Sequence, residues 1–522
     1  MKEDGDPSSE LSSSRASDVR VVAKGGAVQL LGQFTQKGLT FVFVAIAVRL
    51  LGAADYGLYR QVFQILMVAT TLAAGGFPVA AVRFIARARS ERDPGGARGA
   101  GRVALAGAAV VSSIVFLVIF VWAEKIAQVF AKSDSSIDYL AFLLRIGAAY
   151  VPLYGCMQVV RFCSQAYKTM TPSVIVGNVI QPIARYGLSV LALVVGFAVA
   201  GMVVALALSA GIALAAGLWY YRRLQTEEER LAAPRMEVGP MLRFVLPQSG
   251  VQLFSTQSLG LGVLLVGAFG ADRDVGLYSV AQSLQLAGGL FLGSIVGIWG
   301  PVVVDLYHRG DLVRLESLYQ TTNRWVATFS VPIFAAMIIQ PELFTRLIAG
   351  DAGTGAAVLV PILAAGNLFF VGTGPSSQLL SMTGRPGINL INSVTSLGLY
   401  VGLGVWLVPD YGIIGMAVVD AVVTALLNIA RAIEGKVLVG VQPFGATYYK
   451  PIAATLAASA TLVALRLSLG ISTPVAIASI GVAALVYVGV LKLLGLDAEE
   501  RHVIDVVKAR ATSLIKRGSG PR

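Results

Sequence analysis

The sequence is poor in the residues that carry catalytic and metal chemistry. It has two cysteines, Cys156 and Cys163, and two histidines, His308 and His502, in 522 residues. Two cysteines are too few for a disulfide framework, and neither has the ligand companions of a metal site. No phosphate-binding loop and no nucleophile elbow occurs either. We therefore expect no enzyme activity, no metal and no bound cofactor.

Charge is scarce as well. Only 13% of the residues are charged, whereas 56% are hydrophobic, and the mean hydropathy is +0.74. This composition is far from that of soluble domains. A spanning helix needs about 20 apolar residues, and about fourteen segments of that length follow one another between residues 26 and 494. The sequence predicts an all-α integral membrane protein with about fourteen transmembrane helices.

Acidic residues are fewer than basic ones, 29 against 41, which gives a formal net charge of +12. Most of the basic residues fall in alternate loops, such as 83–102 and 222–242, and in the two tails. Because basic loops remain in the cytoplasm, this pattern predicts a multi-pass protein of the cytoplasmic (inner) membrane with both termini inside. The net charge reflects this topology. We expect no nucleic-acid binding, because no soluble domain offers a basic face.

One phrase occurs twice in the chain. Residues 52–59 read Gly-Ala-Ala-Asp-Tyr-Gly-Leu-Tyr, and residues 270–278 read Gly-Ala-Asp-Arg-Asp-Val-Gly-Leu-Tyr. The match extends backwards at a constant offset of 219 residues, for example from Gln33 to Gln252. Such self-similarity indicates a duplicated unit. An even number of crossings separates the copies, so the two lobes are expected to be related by a pseudo-twofold axis along the membrane normal.

The repeat divides the chain into five parts. Residues 1–22 are polar and are predicted to form a disordered cytoplasmic tail. Residues 23–235 form an N-lobe of helices one to six, and residues 236–435 form a C-lobe of helices seven to twelve. Residues 436–494 carry two further helices, which pad one lobe or line a lipid-facing groove. Residues 495–522 form a basic cytoplasmic tail, either an amphipathic helix on the inner leaflet or a solvated one.

A second echo follows helices four and ten. Ser164-Gln165 and Ser377-Gln378 each precede a basic residue and then a proline, Pro172 or Pro386, before the next helix. A tight cytoplasmic turn explains this spacing, with Gly384 adopting a positive φ and each proline starting a helix.

These motifs resemble those of a known group. The Leu-Gly-x-x-x-Tyr-Gly-x-Tyr motif after helix one, the Gly-Arg-Pro turn after helix ten and the paired six-helix lobes are similar to the Wzx-type oligosaccharide or polysaccharide flippases. These flippases belong to the multidrug/oligosaccharidyl-lipid/polysaccharide (MOP) superfamily. The resemblance covers residues 24–494. Many such flippases have twelve helices, whereas fourteen occur in the related lipid II flippases, so the subfamily stays open.

Three cations lie inside predicted spans. Lys37, Arg145 and Arg185 would each cost about 2.5–3.5 kcal/mol at a helix centre, and such residues usually face a cavity. The amides Gln33, Asn178, Gln181 and Gln252 accompany them. The resemblance implies a polyprenyl-diphosphate sugar as substrate, and a cationic, amide-lined cleft complements its pyrophosphate and its hydroxyls. Alternatively, Lys37 or Arg145 extends to the interface, or pairs within a lobe.

Asp420 is the deepest acid of the C-lobe. A carboxylate in hydrocarbon becomes tolerable when it binds a cation or a proton, so Asp420 is a candidate for Na⁺ or H⁺ coupling. A role in a hydrogen-bond network with a neighbouring helix fits the sequence equally.

These observations favour a flippase that moves a lipid-linked oligosaccharide from the inner to the outer leaflet by alternating access. Its partners would be that substrate, membrane lipids, and a glycan polymerase or glycosyltransferases, and we expect a monomer. A cation-coupled multidrug exporter of the same fold is the alternative. A membrane glycan polymerase or ligase fits less well, because such enzymes need a large external loop.

Overall fold

A computed structural model describes residues 7–131, 133–167, 169–253, 260–470 and 472–495. These residues are almost entirely helical, and none of them belongs to a strand. The expected all-α architecture is confirmed.

The described residues up to Leu231 form ten α-helices and one π-helical segment, which make up the N-lobe. The helices are α1 (Pro7–Ala74), α2 (Phe77–Ser90), α3 (Pro94–Val121), α4 (Ala123–Phe130), α5 (Asp134–Gly147), α6 (Tyr150–Gln165), α7 (Thr171–Val174), α8 (Gln181–Val195), α9 (Ala198–Leu224) and α10 (Glu227–Leu231). The π-helical segment, Ile175–Ile180, joins α7 to α8.

The rest of the chain begins with α11. Its helices are α11 (Val238–Leu253), α12 (Leu261–Phe269), α13 (Asp272–His308), α14 (Leu312–Ile339), α15 (Pro341–Ala349), α16 (Leu359–Gly372), α17 (Ser376–Met382), α18 (Pro386–Glu434), α19 (Tyr449–Leu469) and α20 (Thr473–Leu493). A 3₁₀ turn, Gly350–Ala356, follows α15, and a π-helical segment, Gly435–Val439, follows α18.

Two of these helices continue through predicted loops. Helix α1 includes the connection between the first two predicted spans, and α18 includes the connection between the eleventh and twelfth. Each bends at a single glycine with positive φ, Gly52 (φ 80°) or Gly412 (φ 56°). Glycine adopts this conformation without steric cost, so the chain changes direction without a long loop. Helix α1 also includes residues 7–22, which the sequence predicted to be disordered.

Ten helical stretches among the described residues are long and apolar enough to cross a membrane. Two of them, Leu31–Ser90 and Gly387–Val439, have 60 and 53 residues, whereas about 20 are enough for one crossing. The chain is therefore a multi-pass membrane protein. The number fourteen stays a prediction.

The arrangement of the buried side chains shows how the lobes meet. The largest apolar core contains residues of both lobes, including Tyr59 and Leu66 of α1 and Tyr278 and Leu284 of α13. Two smaller cores lie beside the basic loops. The one around Tyr319 is on the C-lobe side, and the one around Ile85 consists of N-lobe residues together with Met241 and Val245 of α11. Among the described residues, the lobes thus share their largest core near the repeated phrase, whereas beside the basic loops α11 is the C-lobe helix that joins the N-lobe core. We call these two regions the outer end and the basic end.

The repeated glycines form the contact at the outer end. A Cβ on Gly57 would overlap the carbonyl oxygen of Asp272, and a Cβ on Gly276 would overlap that of Ala53. The contact is reciprocal, as a pseudo-twofold axis between the repeats requires. Helices α1 and α13 pack more extensively than any other pair in the described residues. We call this contact the glycine seam.

The last two helices pack on the C-lobe. Helices α19 and α20 contact each other and, through an apolar core around Ala454 and Leu462, the flank of α14. An apolar groove of about 500 Å³ lies between these three helices and α15.

Candidate functional site

A cavity of about 680 Å³ lies between the lobes, in the half of the molecule towards the basic end. Helix α1 forms its wall on the N-lobe side, and helices α13, α16, α17 and α18 form the C-lobe side. We call it the central cavity. Its polar lining consists of Gln33, Lys37, Gln285, Asn367, Ser377, Gln378, Ser381, Asn389, Ser393, Asn428 and Arg431.

The charge in this lining is entirely positive. Lys37 of α1 is partly buried, and Arg431 of α18 is buried at 9% exposure. No aspartate or glutamate is part of the lining as the structure describes it. Glu434, three residues beyond Arg431, accepts a hydrogen bond of 2.7 Å from the Asn392 amide instead. The cavity therefore attracts an anion.

Several polar atoms of the cavity lack a protein partner. The Arg431 Nε, the Asn389 Oδ1 and the Gln285 Oε1 are buried and have no hydrogen bond within the described part of the chain. Buried polar atoms are rarely left unpaired, since each costs about 1–3 kcal/mol. The charged donor of Arg431 suits an anionic group of a ligand. The two neutral amide oxygens suit the hydroxyls of that ligand.

A break between α16 and α17 presents the hydroxyls. Gly374 has a φ of 65° and Pro375 follows it, so α17 starts in a new direction and brings Ser377 and Ser381 to the cavity. The Asn389 amide donates to the Ser377 carbonyl and to the Ser381 Oγ, both at 2.7 Å. The turn after α17 has the expected Gly384 with φ 80° and Pro386 at the helix start.

Among the residues predicted from the sequence, Gln33 and Lys37 line the central cavity. Asn178 and Gln181 are buried inside the N-lobe instead. The Asn178 amide donates to the Gln36 Oε1 at 3.0 Å, and its Oδ1 accepts from the Arg161 Nη2 at 3.0 Å. The π-helical segment that holds Asn178 is a local feature often found at functional sites.

Arg185 does not line the central cavity. Its Nε and Nη2 donate to the Tyr59 hydroxyl at 3.1 and 2.8 Å, and its guanidinium carbon lies 3.7 Å from the centre of the Phe63 ring. The Tyr186 ring is 5.3 Å away. A cation held by aromatic faces and a hydroxyl is stabilised without a carboxylate. We call this group the aromatic cage.

Arg145 is also outside the cavity, contrary to its selection as a cavity residue. It lies in the last turn of α5, 38% exposed, and its Nη2 is 2.6 Å from the Glu124 Oε1 of α4. The ion pair is local, so this cation needs no ligand.

Asp420 lies on α18 beside the C-lobe copy of the repeat. The Tyr278 hydroxyl donates to its Oδ2 at 3.2 Å, and the Gln282 amide donates to that hydroxyl at 3.1 Å. The Tyr400 hydroxyl is 3.5 Å from that of Tyr278. Gln252 belongs to α11, and its side chain lies outside what the structure describes.

The sequence did not predict the C-lobe residues that line the cavity. Arg431 ends the twelfth predicted span, where it resembles an ordinary loop charge. A periodic signal was present, because Asp420, Thr424, Asn428 and Arg431 recur every three or four residues and so share one face of α18. A polar stripe on an apolar helix indicates a buried site.

Comparison with known proteins gives a family and a fold. Residues 22–306 match the family model described as polysaccharide biosynthesis protein. Among curated protein sequences, none matches this one significantly.

Solved structures are similar over most of the chain. The structure of the lipid II flippase MurJ in an inward closed conformation superposes with a TM-score of 0.72 at 11% identity, over 90% of this chain and 98% of that one. An inward-facing multidrug resistance MATE family transporter of the MOP superfamily gives 0.64 at 17%, over 80% and 98%. A MOP superfamily transporter from Pyrococcus furiosus gives 0.57 at 15%, over 81% and 96%. At these identities the likeness establishes the fold.

Proposed function

The chain belongs to the polysaccharide biosynthesis protein family, and from this membership we propose that it is a flippase for a lipid-linked oligosaccharide. The substrate would be a polyprenyl-diphosphate sugar that moves from the inner to the outer leaflet. The lipid flippase fold of the MurJ structure supports the class of activity.

The all-positive central cavity is the observation that carries this proposal. Lys37 and Arg431 approach it from opposite lobes, without an acid in the lining. A cation inside the membrane is unfavourable by about 2.5–3.5 kcal/mol on insertion scales, and a pyrophosphate offsets that cost. The surrounding amides and serines complement sugar hydroxyls, because each amide both donates and accepts.

The position of the cavity supports alternating access. The lobes are in contact at the glycine seam, while the cavity lies towards the basic end, where the described C-lobe residues that join the N-lobe core are Met241 and Val245 of α11. If both termini are cytoplasmic, as the basic loops predict, this conformation faces the inner leaflet of the cytoplasmic membrane. The substrate would enter there and leave after the seam parts.

A coupling cation would act in the C-lobe. Asp420, with the hydroxyls of Tyr278 and Tyr400 nearby, offers the oxygen ligands that suit Na⁺, or a carboxylate that takes a proton. Either ion neutralises the carboxylate and changes its bond to Tyr278, a residue of the repeat. Ion binding would thus change the contacts of α13, the C-lobe helix that forms the glycine seam.

The chemistry of the substrate also defines its partners. Membrane glycosyltransferases would assemble the lipid-linked sugar, and a polymerase or ligase would consume it on the other side. We propose that the monomer is the working unit, because the two lobes that enclose the central cavity belong to the same chain.

The test is delivery of glycan to the surface of cells that lack their own flippase. Lys37→Gln and Arg431→Gln should each reduce delivery at least tenfold with normal protein levels in the membrane, because each removes a cation that pairs with pyrophosphate. Arg145→Gln is the matched control and should deliver normally, since that cation pairs with Glu124 outside the cavity.

Normal delivery by both cavity variants would contradict the proposal. A multidrug exporter of the same fold would show the opposite pattern. It would tolerate Lys37→Gln and Arg431→Gln and lose drug efflux with Asp420→Asn.

A further inference from the structure

A second charged cavity lies at the basic end of the N-lobe, between α3, α9 and α10. Its volume is about 380 Å³, and Arg98, Arg102, Arg222 and Arg230 line it. It shares no lining residue with the central cavity. We call it the arginine pocket.

The charge of this pocket is not compensated by the protein. Arg98 donates to the Ala232 carbonyl at 2.7 Å, and Arg230 donates to the Gln225 carbonyl at 3.0 and 3.2 Å. None of the four arginines is ion-paired with any residue that the structure describes. Glu229, the buried acid of α10, is directed away, because it binds Arg89 at 3.1 Å and the Tyr167 hydroxyl at 2.9 Å. Four guanidinium groups therefore face a common space without a counter-ion.

The pocket also has an apolar side. Leu105 of α3 and Leu218 of α9 line it next to the arginines. Trp219 is adjacent in sequence, 48% exposed, and the Arg223 guanidinium lies 4.0 Å from the centre of its ring. An exposed tryptophan stacked with an arginine at the end of an apolar helix is typical of the membrane interface. The pocket therefore opens at the level of the lipid headgroups.

We propose that the arginine pocket binds the phosphate group of an anionic membrane lipid. Guanidinium groups bind phosphate oxygens through paired hydrogen bonds, and the four that line this pocket would surround one phosphate group. Free phosphate offers the same anion, but it has no part that would contact Leu105 and Leu218. A phospholipid has both parts, with the phosphate among the arginines and acyl chains beside the leucines.

The bound lipid would attach the connection between the lobes to the N-lobe. Arg230 belongs to that connection, whereas Arg102 and Arg222 belong to membrane helices. The next residues of the connection already lie on α3, where the Arg235 amide donates to the Gly95 carbonyl at 2.9 Å and its side chain pairs with Asp93 at 3.1 Å. One lipid phosphate that bridges these arginines would add a further attachment.

The experiment measures the unfolding midpoint of the full chain in neutral detergent. Phosphatidylglycerol should raise the midpoint by a few degrees, and phosphatidylcholine with the same acyl chains should not. The double variant Arg102→Gln, Arg222→Gln should lose this shift. Both side chains are exposed and make no contact with a protein partner within the described residues, so the variant is expected to fold. Arg314→Gln, an exposed arginine at the basic end of the C-lobe, is the control and should keep the shift.

Native mass spectrometry provides a second measurement. The wild type should retain one more phosphatidylglycerol than the double variant. An undiminished thermal shift and equal lipid retention in the double variant would overturn the proposal, and so would equal stabilisation by phosphatidylcholine. Equal stabilisation by inorganic phosphate would overturn the lipid as the source of the anion. Since no arm measures transport, the outcome is independent of the proposed flippase activity.

Discussion

At the scale of single residues, the last tyrosine of the repeat binds a buried charge in each lobe. Tyr59 accepts two hydrogen bonds from Arg185, and its counterpart Tyr278 donates one to Asp420. The duplicated position has therefore kept its hydroxyl while the partner has changed sign. A phenol serves both partners because it is a donor and an acceptor. The arginine keeps its charge at all working pH values, whereas the carboxylate can take up a cation.

The first prediction concerns the aromatic cage. Tyr59→Phe keeps the ring beside Arg185 and removes the acceptor of two charge-assisted hydrogen bonds. We expect a loss of about 1.5–3 kcal/mol in unfolding free energy, the usual value for hydrogen bonds to charged groups. A lower midpoint of thermal unfolding in detergent, compared with the wild type, would report this loss.

Tyr150→Phe is the matched control for this change. Tyr150 is equally buried in the same core, but its hydroxyl bonds to the Met67 sulfur at 3.3 Å and to the neutral Tyr154 phenol, and none of its described hydrogen-bond partners is charged. It should cost less than about 1 kcal/mol, because a thioether is a weak acceptor. Equal losses in the two variants would mean that the Arg185 bonds are energetically unimportant.

The sequence indicated part of the central cavity. Lys37 and Gln33 stood out because a charge in an apolar span is expensive, and they line the cavity. The same argument selected Arg145, which has a local partner, and Arg185, which has aromatic ones. The free-energy cost that the sequence assigns to a buried charge is the same whether the cation faces a ligand or has a partner within the protein, so this cost alone cannot distinguish the two cases. That distinction depends on contacts such as that of Arg145 with Glu124, which are 21 residues apart.

At the scale of helices, apolar length predicted the spans well and their connections poorly. The repeated phrase at residues 52–59 was expected to follow helix one as a connection, yet α1 continues through it with one bend at Gly52. Hydropathy reports whether a residue suits hydrocarbon, and a polar helix outside the membrane has no such signature. The glycine was visible in the sequence, but a glycine alone does not show that the backbone adopts a positive φ, since it populates both signs of φ.

The second prediction concerns the glycine seam. Gly57→Ala places a Cβ against the Asp272 carbonyl oxygen, and backbone atoms cannot move aside as a flexible side chain can. Overpacking of this kind costs about 1–3 kcal/mol. The variant should part the lobes at the outer end and increase the rate at which a thiol reagent labels a cysteine at the buried Ala53 position.

Gly38→Ala controls for the loss of a glycine from α1. No atom lies within 4 Å of a Cβ at this position, so the change should leave labelling unaltered and add helix propensity. Unchanged labelling of the Gly57 variant would show that the seam adapts without opening.

At the scale of the whole molecule, the distribution of the cores predicts how the lobes move. The largest core is shared at the outer end, whereas among the described residues of the basic end α11 is the C-lobe helix that joins the N-lobe core. The lobes can therefore rotate as bodies about the seam, with α11 as their connection at the basic end. Interfaces of this kind have discrete packed states. Opening the outer end requires the shared core to separate. The contacts at the glycine seam therefore determine how readily the lobes open there.

The third prediction follows from this motion. Asp55 and Asp272 lie in opposite lobes beside the seam. Burial raises the pKa of Asp272, and so does the Asp55 carboxylate, which is close enough to interact with it. Cysteines in both positions, joined by a short cleavable cross-linker, should hold the outer end closed and stop transport. Cleaving the linker should restore it. Native Cys156 and Cys163 are buried, so they should not interfere.

A cross-link within one lobe is the control. Cysteines replacing Glu124 and Arg145, which form an ion pair inside the N-lobe, should be joined by the same reagent without loss of transport. Full activity of a verified cross-link between positions 55 and 272 would exclude opening at the outer end.

The reciprocal contact of Gly57 and Gly276 also bears on the ancestry of the chain. Two identical single lobes would meet through one glycine used twice, as in a symmetric homodimer. Any mutation in such a dimer appears in both partners and must fit against itself. Fusion of the two genes removes that restriction, so one half was free to acquire a buried arginine and the other a buried aspartate. Gly57 and Gly276 could not diverge in this way. At each position the backbone of the opposite lobe fills the space that a side chain would need.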